Sequence, residues 1–422
     1  MTRLPLNRLA STLVRAFRLS RNASRDRILM GLAIGTFALG AAPIVAIGNS
    51  TAPLTRIPPV ANREFSKPFA TESLSQRILP VRFSGEFPPP VSPAVPSAIA
   101  ASWQNPELIL TIEGESATIQ SLAFSPNGRL LAVGGGRNDP KIEVWDLQAE
   151  KRIYRLEGHQ IRVLALAFSP DGKTLVSGGE GGLINVWDLE TGELRHTLLD
   201  HSSHILSLAI TPDGRNLVSG ALDGMKLWDL GEMQLIGSLV KFQPIYAVAI
   251  RPDGRLIAGG DDGGNITLWP LLPENETPIY GNAIATPFVQ DRGITTLAFT
   301  PDGGSLISGS LDSRIHRWDL VRGESIYTLV EHKSWIRSIQ VNPKGGIFAS
   351  VSRDGIRLWD LRTGELIGVL SVELNWAQTI AWSPDGNSIA SGGLDRSVKI
   401  WRGGPPFEAE DPVAELRIEN LE

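Results

Sequence analysis

The chain has 422 residues, 20% of them charged, and no cysteine, which excludes disulfides, thiolate metal sites and cysteine nucleophiles. The formal charge of −5 conceals an asymmetry: residues 1–106 carry 12 Lys and Arg against 4 Asp and Glu (+8), and the remainder carries 28 against 41 (−13). Phosphate contacts need a basic face, so an acidic body of this kind implies no nucleic-acid partner.

Residues 1–27 are a basic segment. On a helix, Arg8, Arg15, Arg18 and Arg25 share one face, and Leu6, Leu9, Leu13 and Phe17 share the opposite one. That pattern suits the surface of anionic lipid. An organelle transit peptide and a disordered basic tail share its composition. Residues 28–48 are uncharged, and at about 1.5 Å per residue a helix of that length crosses a bilayer core. Arg21, Arg25 and Arg27 precede the stretch, and no Lys or Arg follows before Arg56. The positive-inside rule then keeps the N-terminus in the cytoplasm and sends the rest across. Two readings compete. A retained signal anchor leaves a membrane-anchored protein with its body on the extracytoplasmic side, in the periplasm or a lumen. A cleaved signal peptide, cut after Ala38-Leu39-Gly40 or Ala46-Ile47-Gly48, leaves a secreted one. Prolines recur from Pro53 to Pro106 and no apolar period survives, so residues 49–106 read as a semi-extended linker.

From residue 107 the chain repeats. Trp145, Trp187, Trp228, Trp269, Trp318, Trp359 and Trp401 are separated by 42, 41, 41, 49, 41 and 42 residues. Each follows a Pro-centred turn at Pro126, Pro170, Pro212, Pro252, Pro301, Pro343 and Pro384. A fixed period of this length marks a repeat architecture. In one unit, Arg152–Leu156, Val163–Phe168, Thr174–Ser177 and Leu183–Trp187 read as strands. Gly158-His159, Ser169-Pro170-Asp171-Gly172 and Gly178–Gly182 read as the turns between them. Each unit is thus a four-stranded antiparallel meander, and seven arranged radially bury both faces of every sheet.

The strings FSPDGKTLVSGGEGGLINVWDLETGEL and TPDGGSLISGSLDSRIHRWDLVRGE resemble the WD-repeat β-propeller family, in its bacterial style, and the likeness holds in register over residues 107–402. The resemblance implies an all-β, seven-bladed propeller whose usual role is to hold other proteins together. A hydrophobic helix and the Pro-rich linker precede it, and residues 403–422 form a C-terminal tail. Register also predicts ring closure. Leu108–Ile112 matches the outer-strand position but has no Trp before it, so it completes the last blade after Trp401. Val413–Ile418 also alternates, and Pro405 and Pro406 put it out of register.

In this family an ideal blade carries a buried Trp–Ser–His–Asp hydrogen-bond chain that rigidifies it. Register assigns complete chains to the third blade (His201, Ser219, Asp223, Trp228) and the sixth (His332, Ser350, Asp354, Trp359). The second has His159, Ser177 and Trp187, with Gly181 in place of Asp. The fifth and seventh keep Ser308, Asp312, Trp318 and Ser391, Asp395, Trp401, with Gln290 and Glu373 in place of His. A Ser, His and Asp together invite a hydrolase reading. Here the trio recurs blade by blade beside a structural Trp, and no strand-to-helix nucleophile elbow is present. His201 and His204 lack a visible third metal ligand, and the Gly-rich runs precede no helix that would bind phosphate. No catalytic residue, metal or cofactor is expected.

A partner is expected on the rim that carries the loops before each first strand. The position eight residues before each Pro is Thr118, Arg162, His204, Pro244, Gly293, Trp335 and Trp376. Two residues later come Gln120, Leu164, Leu206, Tyr246, Thr295, Arg337 and Gln378. Exposed Trp and Arg dominate interface energy, so Trp335, Arg337 and Trp376, with Tyr246 and Arg162, are the candidate partner-binding residues. The longer spacing after Trp269 places an insertion in Leu271–Arg292. The leading function is a non-catalytic protein–protein interaction scaffold, tethered to a membrane through residues 28–48. The alternatives are an extracytoplasmic propeller enzyme or ligand binder using the central channel, and a structural module of an envelope complex.

Overall fold

A computed structural model of the chain describes residues 97–113, 118–271, 283, 285–370 and 377–404. The basic segment, the apolar stretch 28–48, most of the Pro-rich linker, Glu373, Trp376 and Val413–Ile418 lie outside the described residues.

Seven four-stranded antiparallel sheets follow one another along the chain. In the second blade the strands are Val163–Phe168, Thr174–Gly179, Leu183–Asp188 and Leu194–Leu199. Local chemistry sets the hairpins. Gly172, at φ 72°, returns its N–H to Ser169 O at 2.9 Å, and the Asp171 carboxylate accepts from Lys173 N at 3.0 Å. After Trp187, Asp188 Oδ1 accepts from the N–H groups of Glu190 and Thr191 at 2.8 and 3.1 Å and turns the chain into the outer strand. The inner strand carries a register shift at the same place in all seven blades, as between Val163 and Ala165. A bulge there strengthens the local twist of each sheet.

The structural blade is offset from the sequence unit, because its outer strand follows the Trp. This offset closes the ring. Glu107–Glu113 pairs antiparallel with Ser397–Arg402, with Ile112 opposite Val398 and Leu108 opposite Trp401. The first and last inner strands, Ile119–Phe124 and Ala377–Trp382, are neighbours. The expected use of Leu108–Ile112 as the closing strand is what the pairing shows.

The core lies between blades. Ile307, Ile315, Ile336, Ile339, Phe348 and Trp359 form one buried cluster drawn from the fifth and sixth sheets, and equivalent clusters recur round the ring. Residues at the end of the linker also join this core. Ser97–Ser102 form a short helix, and Trp103, only 2% exposed, packs edge-on against Trp382 with ring centroids 4.8 Å apart. The same cluster holds Ile347, Leu370 and Trp401. Residues 97–105 contain no proline, so this stretch forms a helical turn and buries an indole where the composition of 49–106 as a whole reads as linker.

Candidate functional site

Each of the third and sixth blades carries a continuous hydrogen-bond chain. In the sixth, Trp359 Nε1–H donates to Ser350 Oγ at 2.8 Å. Ser350 Oγ–H donates to His332 Nε2 at 2.7 Å, and His332 Nδ1–H donates to Asp354 Oδ1 at 2.8 Å. In the third, Trp228, Ser219, His201 and Asp223 repeat the order at 2.8, 2.7 and 2.6 Å. Ser350 and Ser219 have 0% exposure, and each already accepts an indole N–H. An acyl-transfer nucleophile needs an accessible oxygen and room for a carbonyl beside it, so this geometry serves packing. The Asp ties the chain to the rim: Asp223 Oδ2 accepts from Ser202 N at 2.8 Å, and Asp354 Oδ2 accepts from Lys333 N at 3.1 Å.

The incomplete blades vary the pattern. In the second, Trp187 donates to Ser177, which donates to His159 Nε2, both at 2.8 Å. In the fifth, Gln290 Oε1 takes the place of the His nitrogen and accepts from Ser308, which accepts from Trp318 at 2.8 Å. In the fourth, Gly259 replaces the Ser; a Cβ there would lie 2.9 Å from the Trp269 ring, which occupies the space. In the first, Trp145 Nε1 donates instead to Glu143 Oε2 at 3.1 Å.

Sequence reasoning missed the cations that complete these chains. Arg357 Nη1 donates to Asp354 Oδ2 at 2.8 Å and Lys399 Nζ donates to Asp395 Oδ2 at 3.3 Å, while Lys226 Nζ donates to Asp200, to its carbonyl O at 2.6 Å and to its carboxylate, and lies 3.9 Å from Asp223 Oδ2. All three stand two residues before a Trp. The two-residue period of a strand puts them on the Trp face, and that was the available signal. Burial pushes the His332 and His201 pKa values down, and the opposing pull of Asp354 and Asp223 does not overcome it. Both rings are therefore neutral at pH 7, consistent with Nδ1–H as donor and Nε2 as acceptor. Burial opposes ionisation of Asp354 too, but hydrogen bonds from His332, Lys333 N and Arg357 hold its pKa below the ordinary range. His159, with no carboxylate beside it among the described residues, is pushed down to about 4 by burial.

The rim is stitched by its own backbone. Carbonyls at the position eight before Pro accept from the facing hairpin: Arg162 O from Glu180 N at 3.0 Å, His204 O from Leu222 N at 3.2 Å, Pro244 O from Asp262 N at 3.3 Å, and Gly293 O from Leu311 N at 2.9 Å. On this frame Trp335 and Arg337 come together, the guanidinium 5.3 Å from the indole centroid, and Arg337 also donates to Gln378 of the seventh blade. Trp335 is 37% exposed. Arg162 is committed elsewhere, at 2.5 Å from Glu180, which also meets Arg137 of the first blade at 3.4 Å. Tyr246 is half-buried against Gly293, and burial together with the Asp262 carboxylate pushes its phenol pKa up. Trp376 lies outside the described residues. One rim residue was missed by sequence reasoning: Phe242 is 93% exposed, at φ 61°, its N–H held by Asp223 O at 3.0 Å. Its signal was an aromatic in the polar loop Lys241-Phe242-Gln243-Pro244.

The comparisons agree with this geometry. Segments 106–146, 150–188, 192–229, 234–270, 284–319, 323–360 and 364–402 match the WD domain, G-beta repeat. The chain belongs to the WD40 family. Each matched segment begins with the outer strand of the preceding blade, the same offset seen in the sheets. Over 126 residues the chain is 29% identical to a subunit of chromatin assembly factor 1 from Gallus gallus, covering 26% of this chain and 22% of that one. Over 111 residues it is 30% identical to the Lissencephaly-1 homolog of Caenorhabditis briggsae, covering 26% of each. Over 147 residues it is 28% identical to the Nuclear distribution protein PAC1 of Arthroderma otae, covering 31% of this chain and 32% of that one. The chain thus spans about a third or less of the length of these relatives.

Two expectations are corrected. The likeness to a bacterial style of the family is not supported, since the relatives come from a bird, a nematode and a fungus. The membrane-anchored, extracytoplasmic placement, with secretion as its alternative, is overturned. The relatives are named for chromatin assembly and nuclear distribution, and among the described residues no helix is long and apolar enough to cross a membrane. Residues 28–48, on which the expectation rested, have the composition of a spanning helix but lie outside the described residues, and composition alone does not locate a protein.

Proposed function

We propose that the protein is a non-catalytic interaction platform that captures another protein on the rim carrying Phe242 and Trp335. The observation that carries this reading is Phe242. A bulky residue at positive φ is unfavourable, and a phenyl ring held in solvent gains nothing from the fold. Strain of this kind persists where it serves function. Trp335 adds a second exposed aromatic on the same rim, and such side chains dominate interface energy. The buried Trp–Ser–His–Asp chains support the reading indirectly, because they hold the rim loops in one arrangement and lower the entropic cost of binding. Residues 107–402 form the platform in this reading, with Trp103 packed on its last blades. The relatives named for assembly and distribution fit a role in holding proteins together, although each alignment covers only part of both chains.

The test is quantitative capture of partners by the full chain, with Phe242→Ala and Trp335→Ala compared with Val321→Ala. Val321 is exposed in the turn after Trp318, on the opposite edge of its blade. Each rim variant is expected to weaken capture by about 2 kcal/mol or more with an unchanged melting temperature, while Val321→Ala has no effect. Undiminished capture by the double rim variant Phe242→Ala/Trp335→Ala would dismiss the rim as the binding surface.

A further inference from the structure

The hairpin turn of the first blade carries an amide where most of the others carry a carboxylate. In the second, third, fifth and seventh blades the residue after the turn Pro is Asp171, Asp213, Asp302 or Asp385. Each Oδ1 accepts from a Ser or Thr hydroxyl at 2.5 Å and from the N–H two residues on at 3.0 or 3.1 Å. In the first blade that place holds Asn127, whose Oδ1 accepts from Ser125 Oγ at 2.7 Å and from Arg129 N at 3.0 Å. Asn127 is the one asparagine of the chain with a glycine after it. The amide carbon of asparagine is open to attack by the backbone nitrogen of the next residue, and glycine, without a Cβ, hinders that nitrogen least. The two hydrogen bonds to Oδ1 draw electrons from Cγ and face the oxyanion that attack creates. The nucleophile is restrained by one hydrogen bond, from Gly128 N to Ser125 O at 2.8 Å. Pro126 and Asn127 are exposed, and an exposed turn opens locally at small cost, so this nitrogen is released without unfolding a blade. The exposed asparagine in the turn of the seventh blade differs on both counts. Asn387 precedes Ser388, and its amide nitrogen is tied to Asp385 Oδ2 at 3.0 Å.

We propose that Asn127 is a site of spontaneous covalent modification in the folded protein, converting to aspartate or isoaspartate through a cyclic imide closed by Gly128 N. The bond that forms joins Gly128 N to Asn127 Cγ. The bond that breaks is Cγ–Nδ2, and Nδ2 leaves with the proton of Gly128 N as ammonia. Water then opens the imide on either side. Opening at Cγ gives aspartate, and opening at the main-chain carbon gives isoaspartate, whose backbone is longer by one methylene. The net change is amide plus water to carboxylic acid plus ammonia, with no oxidant or reductant. The two products fare differently in this fold. Aspartate restores the arrangement of Asp171 and Asp385, with charge-assisted hydrogen bonds to the same donors. Isoaspartate displaces Gly128, where an added Cβ would lie 3.5 Å from Cδ of Pro384, and so loosens the seam at which the last blade meets the first. This turn follows Ile119–Phe124 and lies at the opposite end of that strand from the rim, so the modification is independent of partner capture there.

The test keeps the full chain in neutral buffer made with ordinary water or with water enriched in oxygen-18. Samples are digested in ordinary water beside a zero-time control and read by mass spectrometry. The peptide holding Asn127 should gain about 1 Da in ordinary water and about 3 Da in the labelled water. The gain should be at least about tenfold faster than at Asn387, and faster as pH rises, because the attacking nitrogen must lose its proton. Isoaspartate should accompany aspartate in the product. The aged fraction that holds isoaspartate should unfold at a lower urea concentration than the parent. Asn127→Asp, which imitates the other product, should show no mass gain in that peptide and should unfold with the parent. Four results would overturn the proposal. Asn127 could keep its amide while a synthetic Phe124–Leu130 peptide converts, which would show that the turn shields it. Asn127 and Asn387 could convert at equal rates. Aspartate could form without isoaspartate, which would replace the cyclic route by direct hydrolysis. Asn127→Asp could unfold well before the parent, which would show that the turn rejects the product assigned to it.

Discussion

A Cβ added to Gly309 would lie 2.5 Å from Cγ2 of Ile336. Gly309 is on the second strand of the fifth blade, and Ile336 opens the inner strand of the sixth. The same opposition recurs between Gly178 and Ile205, Gly260 and Ile294, and Gly392 and Ile119, where the corresponding distances are 2.5, 2.5 and 2.6 Å. At the seam between the sixth and seventh blades the volumes are exchanged: Val351 stands at the glycine position and Ala377 at the isoleucine position, both in one buried cluster. Close packing tolerates redistributed volume but not added volume.

Gly309→Val should therefore destabilise the protein by about 1–3 kcal/mol through overpacking, measured by urea unfolding. Ile336→Ala should cost about 2–5 kcal/mol through the cavity it opens. The double variant copies the Val351/Ala377 pair, so it should lose at least about 1 kcal/mol less than the two single losses added together. Strict additivity would show that the exchange at the sixth seam is unrelated to fit.

Trp103→Ala should cost about 3–5 kcal/mol, since the indole is buried against Trp382 and its neighbours. Removing residues 1–104 should destabilise to a comparable extent, although the closing strand Glu107–Glu113 is retained. A truncated chain that melts with the full chain would mean that Trp103 packs without stabilising.

Stability should fall as the solution is acidified from pH 6.5 towards 4, in part through His159. Its folded pKa, about 4, lies below the ordinary value of 6.5. The unfolded chain therefore takes up the proton first, and the contribution is present above pH 6.5 and lost as pH approaches 4. The shift corresponds to about 3 kcal/mol across that window. His159→Gln imitates Gln290, which accepts from Ser308 in the fifth blade. It should flatten this part of the pH–stability curve, as read by denaturant midpoints at half-unit intervals. An unaltered slope would assign the acid sensitivity to other groups.

Asp354→Ala should cost about 1–3 kcal/mol by leaving His332 Nδ1–H and Arg357 without their acceptor. Asp223→Ala should behave alike. Asp171→Ala should cost less, because its carboxylate serves an exposed turn where water replaces it. Urea unfolding of the three variants checks the order. Equal losses in all three would place the buried and exposed carboxylates on the same footing.

The sequence by itself determined what depends on neighbours within one period of about 42 residues: the Pro–Asp–Gly hairpins, the Trp-to-Ser distance, the number of blades and the offset that makes Glu107–Glu113 the closing strand. These are local interactions repeated in register, and register is visible in a single chain. The tertiary structure decided what depends on the next blade. It paired Arg162 with Glu180 and left Arg337 beside Gln378, although the two arginines stand at nearby rim positions. It buried Trp103 in a seam formed by residues more than two hundred positions away, and it left Phe242 in solvent. No periodicity carries such facts, because they follow from which side chains meet once the ring has closed.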